Sequence, residues 1–201
     1  PHTPMMDQKG RVWIASKIRD PQDQPAYCQA GSANKFAAYY PLKESGYQVM
    51  VFEPKTKKFS MIDTCFGGAH LMFAEDKDNT IFFSVSDQFG WVNTRVFDET
   101  RNGEKSQGWV PAVLDTNGDG KISRGWTEPN EPVDPTKDHR VNFGCYSIAI
   151  NPVDGSAWCP PARFPGTLTR MDLGANPPET ARAEQYEVPP GTGFNPRGMD
   201  F

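Results

Sequence analysis

The sequence has little of what many catalytic, membrane or nucleic-acid-binding proteins need. There are three histidines in 201 residues, which makes a His-built copper or other transition-metal centre a weak reading unless further chain supplies ligands. None of the four cysteines forms C-x-x-C, so a zinc ribbon, a thioredoxin motif and a c-type haem site are excluded. No run approaches the ~18 apolar residues that a membrane span requires. No charged segment followed by an apolar one marks a leader, and the start at Pro1-His2-Thr3-Pro4 reads as the interior of a longer chain or a processed product. Nucleophile elbow, phosphate-binding loop and dinucleotide fingerprint are all missing. The net charge of −4 carries no basic cluster beyond Lys55-Thr56-Lys57-Lys58, which argues against a nucleic-acid partner. Long Ala, Leu, Glu and Lys stretches with a 3.6-residue period are also missing.

Glycine (18), proline (19) and aromatic residues (12%) are plentiful, a balance that favours short strands joined by turns. A pattern recurs along the chain. Pro4 to Ser16 reads as an apolar strand, a polar turn at Lys9-Gly10 and a strand centred on Trp13. Leu71 to Ser84 repeats it with a longer turn and Phe82. Ile148 to Trp158 repeats it around Asp154-Gly155. A fourth copy opens at Pro196 to Phe201. Glycine in the Lys9-Gly10 and Asp154-Gly155 turns accepts positive φ without a Cβ clash. The aromatic after each turn is suited to fill the space between neighbouring sheets.

A second strand pair follows: Tyr47 to Pro54 with Phe59 to Ile62 in the first unit, and Thr167 to Leu173 with Glu184 to Val188 in the third. In the second unit Trp91 to Phe97 reads as the third strand, and the fourth strand is less clear. Four strands per repeated unit predict an all-β fold, a β-propeller segment of about three blades plus the start of a fourth. The units span about 1–64, 65–144, 145–190 and 191–201, with insertions at about 19–44 and 102–140. A generic β-sandwich is the competing architecture. An arc of this length would leave sheet edges in water, so the remaining blades are expected from a longer chain or from partner chains.

The turn-and-strand unit, with Val51-Phe52-Glu53-Pro54-Lys55-Thr56-Lys57-Lys58-Phe59, resembles virginiamycin B lyase and the wider streptogramin-lyase group. The resemblance implies a seven-bladed propeller that opens cyclic depsipeptides by elimination, using a His base, an acidic residue and Mg²⁺ or another divalent ion in the central funnel. No complete His-plus-acid pair of that family matches residues here.

Several residues are candidates for chemistry. Asp115, Asn117 and Asp119 occupy positions 1, 3 and 5 of an EF-hand-like calcium loop, with Gly120 at the sharp turn. Lys121 would give its carbonyl and Ser123 a side chain or bridging water. Trp126 stands where the bidentate Glu belongs, so Glu128 or Glu131 would have to supply that ligand. A structural Ca²⁺ and an ion-free surface turn are the two readings. His2 and His70 sit just before a blade's first strand, and Tyr146 and Arg197 occupy comparable places, so the four would line one ligand funnel. Arg197 suits an anionic group. His139 lies among Asp134, Lys137, Asp138 and Arg140 and reads as a solvated loop. Tyr39, Tyr40, Trp91, Trp109 and Trp126 suit either a stacking platform for sugars and aromatic ligands or a core beneath long loops. The even cysteine count fits two disulfides, Cys28 with Cys65 and Cys145 with Cys159, and a secreted or periplasmic location; four reduced core thiols is the alternative.

The leading expectation is an extracytoplasmic propeller that binds a small-molecule or peptide ligand or acts as a scaffold, held by Ca²⁺ and disulfides. The alternative is a metal-dependent lyase with its site in the funnel.

Overall fold

Turns that begin with an acid and end on glycine fold the chain back on itself, and the strand pairing follows. The computed structural model describes residues 2–84, 88–142, 144–160, 166–191 and 197–201. In its first turn the Asp7 carboxylate accepts the backbone N–H of Lys9 and of Arg11, both at 2.9 Å. Gly10 takes φ of +81°, open to a residue without Cβ. β1 (His2–Met6) thereby pairs antiparallel with β2 (Val12–Lys17), and β3 (Tyr47–Glu53) and β4 (Lys58–Asp63) complete a four-stranded meander. Side chains alternate across this first sheet: Trp13, Ala15, Val49, Val51 and Ile62 are buried, whereas Phe59 and Met61 are exposed.

Between β2 and β3 lies α1 (Lys35–Tyr39), started by Asn34, whose Oδ1 accepts the N–H of Phe36 at 2.9 Å. The second sheet runs β5 (Leu71–Phe73), β6 (Thr80–Phe83), β7 (Phe89–Asn93) and β8 (Gln107–Val110). The third strand expected as far as Phe97 stops at Asn93. Its Oδ1 accepts the N–H of Val96 at 2.9 Å and so opens α2 (Thr94–Thr100). After α3 (Gly103–Ser106) the chain returns as β8, inside the stretch expected to be an insertion. Gly108 is required there, because a Cβ would collide with the rings of Trp91 and Phe36.

A two-stranded ladder, β9 (Val113–Leu114) with β10 (His139–Arg140), brackets the acidic loop. The last sheet runs β11 (Ala149–Ile150), β12 (Ala157–Cys159), β13 (Thr167–Asp172) and, beyond α4 (Pro177–Thr180), β14 (Arg182–Glu187).

The all-β propeller expectation is overturned. Among the described residues the strands form four separate small antiparallel sheets, none closed on itself or curled into a ring, and four short α-helices join them in a mixed α/β fold. The reason is physical. Asp-Gly and Lys-Gly turns specify pairing between adjacent strands, and nothing in that local chemistry specifies how separate sheets are arranged. The fourth hairpin copy begins at Pro196, outside the described residues.

The first strands abut, β1 on β5 and β5 on β11. Every residue of β6 and β8 is buried, so the second sheet is covered on both faces. Trp13 lies fully buried between the first two sheets, edge-on to Phe73 and Phe97 at 6.3 and 6.4 Å between ring centroids. Beside it Arg11 bridges Asp7 at 2.7 Å and Asp98 of α2 at 2.5 Å. Disulfides join Cys28 to Cys65 and Cys145 to Cys159. No helix among the described residues is long and apolar enough to cross a membrane.

Candidate functional site

Residues from four separate segments meet where the first strands abut. Thr3 holds φ of +41°, rare for a residue with a Cβ, at an irregularity in the β1–β2 register between His2 and Met5. Such bulges re-aim side chains, and here the Thr3 hydroxyl is 2.7 Å from Nδ1 of His70. The backbone of His70 is fixed at the start of β5: its N–H donates to Ser84 Oγ at 3.0 Å, and its carbonyl accepts the Ser84 N–H at 2.9 Å. The His70 ring lies against Tyr146, centroids 4.9 Å apart. Tyr146 is held by its N–H to the Pro160 carbonyl at 3.1 Å and by the adjacent Cys145–Cys159 bridge. The Arg197 guanidinium covers the Tyr146 ring at 5.1 Å. The result is a column, Thr3–His70–Tyr146–Arg197, and Arg197 makes no ion pair with a described carboxylate.

Three of the four funnel candidates are thus brought together. His2 has its backbone in β1 opposite Ala15, and its side chain lies outside the described residues. Thr3 carries no signal in the sequence, because only the register irregularity turns its hydroxyl to His70.

Tyr146 also belongs to a cleft of about 520 Å³ lined by Tyr40, Leu42, Glu44, Ser45, Tyr47, the Gly67–Ala69 backbone, Ser84, Gln88, Gly144 and Cys145. Two glycines keep its wall flat: a Cβ at Gly68 would lie 2.9 Å from the Phe83 ring, and one at Gly67 3.1 Å from the Tyr47 ring. Among the aromatics first considered for a platform, only Tyr40 lines this cleft. Trp109 is fully buried, its Nε1–H donating to the Tyr40 carbonyl at 2.8 Å. Trp91 packs edge-on against Phe36. Tyr39 lies under Arg124 and donates its hydroxyl to Glu179 at 3.0 Å. Trp126 lies near the Tyr40 ring and donates its Nε1–H to Glu128 at 3.1 Å.

In the acidic loop the oxygens serve the loop's own backbone. Asp115 accepts from the N–H of Gly118 at 2.8 Å and of Gly120 at 3.0 Å, Asn117 from Asp119 at 2.9 Å, and Asp119 from Lys121 at 2.9 Å. Ser123 turns to Asp138, donating its N–H at 2.8 Å. Glu128 does not curl back to the loop; it accepts from Arg140 Nε at 2.7 Å, and that bond leads the causes that hold its carboxyl below the ordinary value. His139 is not solvated as expected. It is buried in β10, with Nδ1 2.7 Å from the Thr127 hydroxyl, because the β9–β10 ladder draws it inward.

Among the described residues no three His, Cys, Asp or Glu side chains gather as a metal centre would need. This finding, with the open sheets, overturns both the metal-bound propeller scaffold and the metal-dependent lyase. No protein-family model matches the chain, and no curated protein matches it significantly. The resemblance to virginiamycin B lyase is therefore withdrawn, and no family is assigned.

Proposed function

We propose that this chain binds a small organic anion, with the charged end of the ligand at the Thr3–His70–Tyr146–Arg197 column and its body in the adjoining cleft. The observation that supports this reading is Arg197: a guanidinium stacked on a tyrosine beside a cleft, with no described carboxylate partner. A planar guanidinium offers parallel N–H donors that match a carboxylate. The cleft volume falls in the ~300–1,000 Å³ range of small-molecule sites. Calorimetric titration with sodium acetate and with inorganic phosphate tests it. Arg197→Gln is expected to weaken both by about tenfold or more, since a hydrogen bond to a charged group contributes ~1.5–3 kcal/mol. Equal affinity in the variant would overturn the reading.

Two disulfides support a further proposal, a secreted or periplasmic location. Cysteines that remain blocked to alkylation in rapidly quenched source material are expected; four reactive thiols would contradict it. We also propose that the 115–123 loop binds Ca²⁺. Its support is the order of side-chain oxygens at Asp115, Asn117 and Asp119 with Gly120 at the turn. Chelation is then expected to lower the melting temperature, and an unchanged melt would dispose of it.

A further inference from the structure

We infer that the ligand is an acidic monosaccharide, a pyranose ring carrying one carboxylate, bound with its ring and hydroxyls in the cleft and its carboxylate at Arg197. The inference rests on the proposed anion site and adds the class of molecule. Three features of the cleft select that class.

The first is the mixture of surfaces. Tyr40, Tyr47, Tyr146 and Leu42 provide flat apolar area, and Glu44, Ser45 and Gln88 are interleaved with them. A pyranose has both kinds of surface: apolar C–H faces that lie on aromatic rings and a rim of hydroxyls that need partners. Among the described residues neither the Tyr47 nor the Tyr146 hydroxyl is engaged by another side chain, so both remain able to donate to and accept from a sugar hydroxyl. A purely aromatic ligand would leave Glu44, Ser45 and Gln88 without use and would have to desolvate them.

The second is the placement of charge. Arg197 lies at the Tyr146 end, and Glu44 is a cleft-lining carboxylate. One guanidinium suits one negative charge. A carboxylate in the same cleft repels a second one, which works against nucleoside di- and triphosphates and favours a monoanion. Ionised carboxylates accept two hydrogen bonds readily, and vicinal sugar hydroxyls supply two donors.

The third is the glycine wall. At Gly67 and Gly68 side chains are excluded by the Tyr47 and Phe83 rings, so the wall is bare backbone. Tyr47 packs directly on Gly67, so its ring and the exposed peptide groups of residues 67–69 border one cleft, and those peptide groups suit sugar hydroxyls.

The test compares D-glucuronate, D-glucose, acetate and benzoate by calorimetry on the whole chain, with Glu44→Gln and Arg197→Gln beside the natural sequence. Glu44 is exposed, so its substitution leaves folding intact. Glucuronate is expected to bind at least tenfold more tightly than acetate or glucose. Glu44→Gln should weaken glucuronate severalfold and leave acetate unchanged or improved, and Arg197→Gln should weaken both anions. Glucuronate no tighter than acetate, with acetate still dependent on Arg197, overturns the saccharide class and leaves the anion site standing. Benzoate tighter than glucuronate does the same. Loss of Arg197 dependence for every anion removes the anion site itself.

Discussion

The first and third hairpins share a turn signature and end in different surroundings. In each an acid and a glycine precede a tryptophan: Asp7, Gly10 and Trp13, then Asp154, Gly155 and Trp158. The Asp7 side chain is wholly buried and accepts from the backbone of Lys9 and Arg11, from Arg11 Nε at 2.7 Å and from Trp13 Nε1 at 2.9 Å. Asp154 is exposed and accepts from the Ser156 N–H at 2.9 Å, the Ser156 hydroxyl at 2.6 Å and Arg170 at 3.1 Å. Trp13 sits between two sheets. Trp158 faces away from the buried Ala157 and Cys159 and is covered by Tyr186 and Phe201, at ring-centroid distances of 5.6 and 6.1 Å. The same local chemistry makes the same hairpin, and whether its tryptophan becomes core depends on a sheet lying against that face. The first hairpin is tied to α2 by a buried ionic network; the third is tied by the Cys145–Cys159 bridge.

The sharpest way to break this contrast is at the two acids. Asp7→Ala would strand Arg11 in a buried position, and chemical denaturation should show a loss of about 3–5 kcal/mol. Asp154→Ala should leave the melting temperature within experimental scatter. Comparable losses at both sites would mean that burial does not distinguish them. Trp13→Ala should cost about 3–5 kcal/mol through the cavity it leaves, and the half-buried Trp158→Ala about 1 kcal/mol, near the centre of point-substitution effects in general. Replacing both Cys145 and Cys159 by Ser should cost about 3 kcal/mol for a loop of this length. Refolding data in which this pair contributes nothing would contradict a covalent anchor for the third hairpin.

A smaller and more specific effect concerns acid. Burial alone would raise the Asp7 and Asp98 carboxyls. Hydrogen bonds from Trp13 and Arg11 to Asp7, and from Arg11 and Lys9 to Asp98, outweigh it and hold both below the ordinary value. A depressed folded pKa gives stability that is complete above the unfolded value near ~4 and is lost as pH falls through the folded one. Melting followed from pH 7 to pH 2 should therefore show the natural protein losing stability below about pH 4, with a shallower loss in Asp98→Asn. Identical profiles would show that the network does not carry the acid sensitivity.

Much of the strand pattern was legible because it is local. Asp7 with Gly10 and Asp154 with Gly155 announce their hairpins, and the alternation through Val49 and Val51 announces β3. What could not be read was one local cap and a set of contacts distant in sequence. Asn93 ends β7 because its side chain caps α2, although Val96 and Phe97 continue an apolar run. β8 was hidden in a presumed insertion, since Gly108 reads as a loop residue until the Trp91 and Phe36 rings explain it. The arrangement of sheets was misjudged for the same reason: turn chemistry says nothing about how one sheet is placed relative to the next. At the site, His70, Tyr146 and Arg197 were singled out by their repeat positions. Thr3 and the Tyr47–Glu44 side of the cleft emerge only when separate segments meet.

With three histidines in the chain, side-chain NMR can watch the proposed anion site almost residue by residue. His70 touches the column and His139 is buried away from it in the β9–β10 ladder. Titration with acetate is predicted to move the His70 ring signals saturably and leave those of His139 in place, with the response lost in Arg197→Gln. A His70 signal that stays fixed throughout the titration, or that moves equally in the variant, would contradict the account.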